Sequence, residues 1–410
     1  MTAESVTKLR AKSNALGLYI HVPFCAKQCE FCAFYKEKAD RTKIDLYMEA
    51  IIEELEKFPP GRGVETVFMG GGTPTLLTAG DLERLCHAVR TATGNDLTEW
   101  TIECAPGTLN KDKIYILKKW GVTRFSLGVQ SFNEKTLAAI GRPHSLKQVE
   151  ESIVLLRDNA KNWNIDLIFA AAESALPDWT EDLEKAVSLG SNHISTYCLT
   201  FESDTELYLK MIKGAKKRPS ADEEALFYKR TWEFLRGTGF HHYEVANFAR
   251  QGFECRHNLN TWRMQEWLGY GPAAASQFNR RRHSNIPDLE QWATGVKSGR
   301  RVLVDETYLG QKELALDSLV FGLRMPEGTD TRELRGLLGP VETEKLQEIG
   351  DDLCKDGLLA IDKTIWRLTD DGLLLADRIG AELLEITEKT KNNHRHIPPA
   401  ARQSSKQGTL

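Results

Sequence analysis

Residues 19–34 read YIHVPFCAKQCEFCAF, with Cys25, Cys29 and Cys32 separated by three and then two residues. The run 18–22 that leads into them is apolar enough for a first strand, which places the thiols in the loop that follows it. Thiolate is the protein ligand that iron-sulfur clusters take, and three sulfurs in so short a loop can face one centre. The spacing predicts that Cys25, Cys29 and Cys32 hold a 4Fe-4S cluster and leave one iron without a protein ligand. Zinc, completed by a histidine, is the competing reading. His21 is near enough, but it alternates with Ile20 and Val22 and is directed to the barrel or the core. One strand later GGGTPT, residues 70–75, offers bare backbone that a small ligand can approach closely, and this context favours the cluster.

Outward from that loop, apolar runs at 18–22, 64–69, 99–104, 124–129, 165–169 and 193–200 alternate with helical patterns near 43–57, 79–90, 111–119, from 134 and from 146, and 179–188. Strand-helix repetition of this kind predicts a parallel sheet with right-handed crossovers, an α/β fold curling into a partial (β/α)6 barrel over residues 18–240. In such barrels chemistry lies where strands end, and the cysteines, the glycines, Glu103 and Gln130 fall at those ends. Residues 209–222 are rich in lysine and are expected to be an exposed connection that needs only solvation. A helix is expected at 222–237, and 240–285 mixes aromatics, glycines and His257 without a clear period. Residues 305–388 predict an α+β module of winged-helix size, with two short strands around Asp362 and Lys363. Residues 1–17 are expected to be flexible, 241–304 to form a segment of their own, and 389–410 to be disordered.

Composition bounds the function. The 410 residues carry 54 Lys+Arg against 58 Asp+Glu, a net charge of −4, which gives no bulk electrostatic reason to bind nucleic acid. The first residues hold no apolar core of signal-peptide length, and no segment reaches the ~18 apolar residues of a membrane span, so a cytoplasmic protein is expected. The remaining cysteines, Cys86, Cys104, Cys198, Cys255 and Cys354, are scattered singly and are expected to be ordinary buried thiols.

CxxxCxxC with Phe31 before its last cysteine, followed by GGGTPT, resembles the radical S-adenosylmethionine (SAM) superfamily. YIHVPFC and GVQSF are similar to its oxygen-independent coproporphyrinogen III oxidase-like branch. The resemblance covers roughly residues 18–380 and implies a 4Fe-4S cluster whose open iron is chelated by SAM. It further implies that Tyr19, Phe31, Gly71, Gly72, Thr73, Glu103, Gln130, Arg142, Asp166 and Thr200 line the cofactor site, with Glu103 facing a ligand ammonium and Arg142 a carboxylate.

Within that branch the oxidases carry a fourth cysteine where this chain has Phe34, and a long N-terminal extension, so oxidase activity is disfavoured. The run YEVANFARQGFECRHN, residues 243–258, resembles the HemW family of heme chaperones. Its HNxxYW motif stands here as His257-Asn258-Leu259-Asn260-Thr261-Trp262, which implies heme contacts from His257 and Trp262. Thr261 replaces the family's tyrosine, Ala275 a histidine of GIGPGAHS, and Ala170 to Ala172 the Gly-Leu-Pro of DLIYGLPGQT. The resemblance implies heme delivery to respiratory hemoproteins, an electron donor such as flavodoxin or ferredoxin, and leaves room for a homodimer and a peripheral membrane contact. The alternatives are a radical SAM methyltransferase or oxidase-like enzyme of the branch, and a non-enzymatic heme store or sensor. Geometry at the open iron, not residue spacing, decides whether SAM is cleaved.

Overall fold

The computed structural model describes residues 16–57, 62–171 and 174–388. The expectations for residues 1–15, for Ala172 and for the tail 389–410 lie outside them.

Strand β1 (Leu16–Val22) buries Leu16, Leu18, Ile20 and Val22 with Tyr47, Met48 and Ile51 of helix α1 (Arg41–Glu56), which Asp40 starts by accepting the Thr42 N–H. Five further units repeat the theme: β2 (Thr66–Gly71) and α2 (Ala79–Thr93), β3 (Glu99–Cys104) and α3 (Lys111–Trp120), β4 (Arg124–Gln130) and α4 (Leu146–Asn159), β5 (Trp163–Phe169) and α5 (Leu176–Ser188), then β6 (His193–Cys198). The six strands are parallel and lie in sequence order in the sheet. Each sends one set of alternate side chains to the helices, and these are apolar: Val67 and Met69, Trp100 and Ile102, Phe125 and Leu127, Ile165 and Leu167. The other set faces the interior and is polar along much of its length, with Tyr19 and His21, Glu99 and Glu103, Arg124 and Ser126, Asn164 and Asp166, His193 and Ser195.

Strand β6 stops at Cys198, two residues short of the expected end, so Thr200 stands in the loop beyond it. The lysine-rich stretch is not simply an exposed connection. Residues Glu206–Ile212 form helix α6, whose Leu207 is fully buried and whose backbone and Lys210 both bond Glu30 of the cysteine loop. A long helix α7 (Ala221–Gly237) follows.

Residues 241–308 extend the same sheet at both edges. Strands β7 (His241–Glu244) and β8 (Asn247–Ala249) add antiparallel beside β6. After helix α8 (Arg256–Trp262), β9 (Glu266–Tyr270) runs parallel to β1 on its free side. Strands β10 (Ala275–Phe278), β11 (Arg281–Asn285) and β12 (Leu303–Tyr308) continue it as an antiparallel meander, and helix α9 (Leu289–Lys297) packs beside α1. The sheet therefore has twelve strands.

A second core belongs to the C-terminal α+β module: helices α10 (Gln311–Gly322), α11 (Pro340–Lys355) and α12 (Ala376–Glu388) around fully buried Trp366, with strands β13 (Thr329–Asp330), β14 (Leu359–Asp362) and β15 (Ile365–Leu368). β14 and β15 flank Lys363, which turns the hairpin at φ +57°. The module meets the barrel through Arg236–Asp370, Lys229–Asp371 and Arg263–Glu327 ion pairs and the contact of Trp262 with Phe321.

Candidate functional site

The carboxyl end of the barrel gathers the cysteine loop and the glycine loop. Gly72 N–H donates to Val22 O and Thr73 N–H to Phe24 O, both at 2.8 Å, which stitches the two loops together. A Cβ on Gly72 would stand 2.6 Å from Phe24 O, and Gly71 holds φ +102° with the His21 ring against it, so neither position admits a side chain. Cys25, Cys29 and Cys32 are partly exposed free thiols. Burial, then the neighbouring Cys32 and Cys29 sulfurs, pushes the Cys25 thiol up to about 11, while a hydrogen bond with Thr73 opposes the rise. Zinc needs sulfurs about 3.8 Å apart around Zn–S bonds of about 2.3 Å. Among the described residues no three His, Cys, Asp or Glu side chains are gathered around a single ion in that way. The three thiols influence one another across the loop and supply the all-sulfur donor set that an iron-sulfur cluster takes. Phe31 packs with Ile140, Ile168, Ala171 and Tyr197 in an apolar cluster that also touches Cys29 and Cys32, an anhydrous backing for that loop.

The remaining predicted cofactor residues surround the same mouth. Glu103 accepts the Gly71 N–H at 3.0 Å, and burial, then the charge of Asp166, pushes its carboxyl up to about 8. An acid so reluctant to ionise is matched by a ligand that brings its own cation. Gln130 takes φ +70° at a bulge between β4 and β5, and its Oε1 is buried without a protein partner, as is Thr200 Oγ1. Such orphaned atoms fit a bound polar ligand. Burial lowers His21 to about 4, so the ring is neutral; its Nε2–H donates to Tyr35 O and its Nδ1 accepts from the Tyr19 hydroxyl. Asp166 lies deeper, accepting from Ser126 and Asn164. Arg142 reaches Cys29 Sγ, 3.1 Å away. The donor set, the bare backbone and the orphaned polar atoms fit a 4Fe-4S cluster with SAM.

His257 and Trp262 are not part of this assembly. His257 lies at the amino end of the strands, 8% exposed, with Nδ1 bonded to Thr66 Oγ1 at 3.0 Å and its ring 5.4 Å from that of Phe68. Its backbone N–H donates to Glu99 Oε1 at 3.0 Å, and Arg256 N–H and the Cys255 thiol complete the carboxylate's partners. Burial lowers His257 to about 4, so the imidazole is neutral. Trp262 stands outside the barrel between Phe321 and Arg324 of the C-terminal module. Thr261, in the position of the family's tyrosine, bonds the carbonyl of His257.

Sequence reasoning missed the interior residues that join these ends: Thr66, Glu99, Arg124, Asn164, His193, Tyr243 and Cys255. His193 bonds Asn164 at 2.5 Å on one nitrogen and the Tyr243 hydroxyl at 2.6 Å on the other, and Tyr243 accepts the Cys255 N–H. Cys255 is thus more than an ordinary buried thiol. The signal was available: parallel strands covered on both faces are usually continuously apolar, and here the alternate positions are polar along much of β1, β3, β4, β5 and β6.

Residues 19–170 match the Radical SAM superfamily and residues 309–375 the HemN C-terminal domain. Heme chaperone HemW of Lactococcus lactis subsp. lactis (strain IL1403) is 32% identical over 369 residues, covering 89% of this chain and 96% of that protein. Heme chaperone HemW of Bacillus subtilis (strain 168) is 30% identical over 90% of this chain and 99% of its own length. Radical S-adenosyl methionine domain-containing protein 1, mitochondrial, of Danio rerio is 30% identical over 91% of this chain and 87% of its length. The solved structure of coproporphyrinogen III oxidase HemN from Escherichia coli, a radical SAM enzyme, shares the fold with a TM-score of 0.78 at 23% identity over 93% of each chain. With relatives of this similarity matched over nearly their whole length, the chain belongs to the HemW family of the radical SAM superfamily.

Proposed function

We propose that this protein is a heme chaperone that takes up heme beside His257 and passes it to respiratory hemoproteins, with a 4Fe-4S cluster on Cys25, Cys29 and Cys32 and SAM at the opposite end. The observation that carries this reading is the near full-length match to HemW relatives, combined with a neutral, well-oriented imidazole in their heme motif.

A neutral imidazole can ligate iron through Nε2 when Nδ1–H donates to a second group, and Thr66 Oγ1 is that group here. Trp262, five residues past His257 on the same helix, is the second residue given to heme by that motif and packs outside the barrel against Phe321 and Arg324. At the other end, Glu103 and the Gly71 and Gly72 backbone bind the cofactor ammonium, Gln130 and Thr200 orient its polar edge, and the cluster of Phe31 and Ile168 excludes water. When bound, the cluster and SAM supply one-electron and radical chemistry. A flavodoxin or ferredoxin serves as donor in this reading, and two chains pair, at the membrane surface, for transfer to the recipient.

Heme titration of the anaerobically reconstituted protein, followed by Soret absorbance with and without SAM, tests the site. His257→Ala should weaken heme binding by at least about tenfold, and unchanged affinity would sink the assignment. A heme store would bind equally well but fail to load an apo-hemoprotein. A methyltransferase or oxidase would instead consume SAM with methylated or decarboxylated product.

A further inference from the structure

Family resemblance gives Arg142 to a ligand carboxylate, but its observed contacts are with the protein. Nη1 donates to Cys29 Sγ at 3.1 Å, Nη2 to Gly128 O at 2.8 Å and Nε to His144 Nδ1 at 3.0 Å. A planar fork with three acceptors at once has a single orientation, and two of its five N–H groups stay available for a ligand. Burial, then the charge of Arg142, lowers His144 to about 3. The ring is therefore neutral. Because Nδ1 accepts from Arg142, the proton resides on Nε2, which donates to Val129 O at 3.0 Å. Through that bond His144 anchors the guanidinium to the end of β4.

We propose that Arg142 tunes the reduction potential of the cluster through its charge-assisted bond to the Cys29 sulfur, and that His144 is the positioning residue that keeps it there. The inference rests on the reading that the three thiolates hold a 4Fe-4S cluster. One-electron reduction adds negative charge to a cluster, and an N–H donor carrying positive charge at a ligand sulfur stabilises the reduced form more than the oxidised form. Arg142 therefore raises the potential. Lys36 is a second cation nearby: it bonds the Cys32 carbonyl and side chain and its charge favours the Cys32 thiolate, but its flexible stem fixes that charge less firmly than the guanidinium fork does.

The test is a redox titration monitored by electron paramagnetic resonance on the full chain, reconstituted anaerobically without SAM, with iron and sulfide counted in the same samples. Arg142→Gln should lower the ratio of reduced to oxidised cluster at a fixed potential about tenfold, a downward shift of about 59 mV for a one-electron couple. His144→Ala should shift the midpoint the same way by less, and Arg142→Lys, which keeps the charge but not the fork, should recover part of the loss. A fully loaded Arg142→Gln protein with the wild-type midpoint overturns the inference. If that variant takes up no cluster, His144→Ala decides, because it keeps the arginine and removes only its anchor, and an unchanged midpoint there overturns the inference equally. A wild-type chain that takes up no cluster overturns the reading beneath it instead.

Discussion

At the carboxyl end of the six strands the chain presents thiols, bare glycine backbone and buried polar atoms with no protein partner. At the amino end the same strands present Thr66 and Glu99, and these are already saturated by His257, Arg256 and Cys255. The first end is built around something still to come, whereas at the second Thr66, Glu99 and the His257 segment already bond one another and must part to admit a ligand, although Arg124 Nε and Asn260 Nδ2 also lie buried there without a protein partner. Between them a column of rings, His257, Phe68, Tyr19 and His21, fills one side of the barrel with centroids 5.4, 6.3 and 6.0 Å apart. The two ends are therefore separated by a packed interior, and they should respond separately to substitution.

The largest effect expected is at the carboxyl end. Cys25→Ala, Cys29→Ala or Cys32→Ala should each abolish the brown absorbance of the reconstituted protein, and Cys104→Ala, whose sulfur is buried among the outward-facing apolar residues, should leave it intact. Heme titration of the same three variants should stay within about twofold of wild type, since packed sites without shared partners behave almost additively. Parallel loss of heme binding would show that the ends act as one unit.

Next comes pH. The folded protein holds Glu103 at about 8 against an ordinary 4.5. Below about 4.5 both folded and unfolded chains keep this proton, and the contribution to stability is complete. Between about 4.5 and 8 the unfolded chain releases the proton while the folded chain retains it, so stability falls as pH rises. Glu244, raised to about 7, and Asp182, raised to about 6, act in the same sense at lower pH, so Glu103→Gln should remove the part of the decline between pH 7 and 8 and lessen the rest. The readout is the urea midpoint of the SAM-free protein across pH 5 to 8. His257, held at about 4 by burial, acts in the opposite sense and costs stability only as pH falls through its unfolded value near 6.5. A wild-type profile that is flat above pH 6.5 would contradict the account of Glu103.

A subtler effect is expected from Thr66→Val, which keeps the shape of the side chain and removes the oxygen facing His257 Nδ1. Heme affinity should fall about tenfold, as when a second-sphere partner of a ligating histidine is lost. Cluster content should not change. Equal heme affinity in the variant would separate Thr66 from the heme site.

How much of this was legible depends on which face of each strand carries the signal. Outward residues such as Leu18, Ile20, Ile165 and Leu167 are apolar because helices cover them, and they marked all six strands. The cysteine spacing marked the carboxyl end for the same kind of reason, a local pattern with one chemical use. The meander was illegible because β11 is Arg-Arg-His-Ser-Asn, a strand held by its neighbours' backbone and carrying no apolar alternation. Helix α6 was read as solvated because the lysines that follow it dominate the stretch and Leu207 is its one fully buried residue. Glu99, Arg124 and Asn164 were passed over because their role exists only once six strands close around them.

The smallest effects expected come from two alanines that stand where the family motifs have glycine. Ala170 and Ala273 keep φ at +57° and +61°, so the loss of glycine has not straightened either turn. Left-handed backbone costs an L-residue about 1–2 kcal/mol, and the greater freedom of glycine in the unfolded chain returns about 0.5–1 kcal/mol of that. At Ala273 the methyl is partly exposed, so Ala273→Gly should stabilise by about 0.5 kcal/mol. At Ala170 the methyl is 1% exposed, and losing a buried carbon of this size costs about 0.8 kcal/mol, which cancels the gain. Urea midpoints of the two variants should therefore separate, with Ala273→Gly above wild type and Ala170→Gly indistinguishable from it. A rise at Ala170 equal to that at Ala273 would mean that the loop after β5, at the mouth of the cofactor site, is packed more loosely than its burial implies.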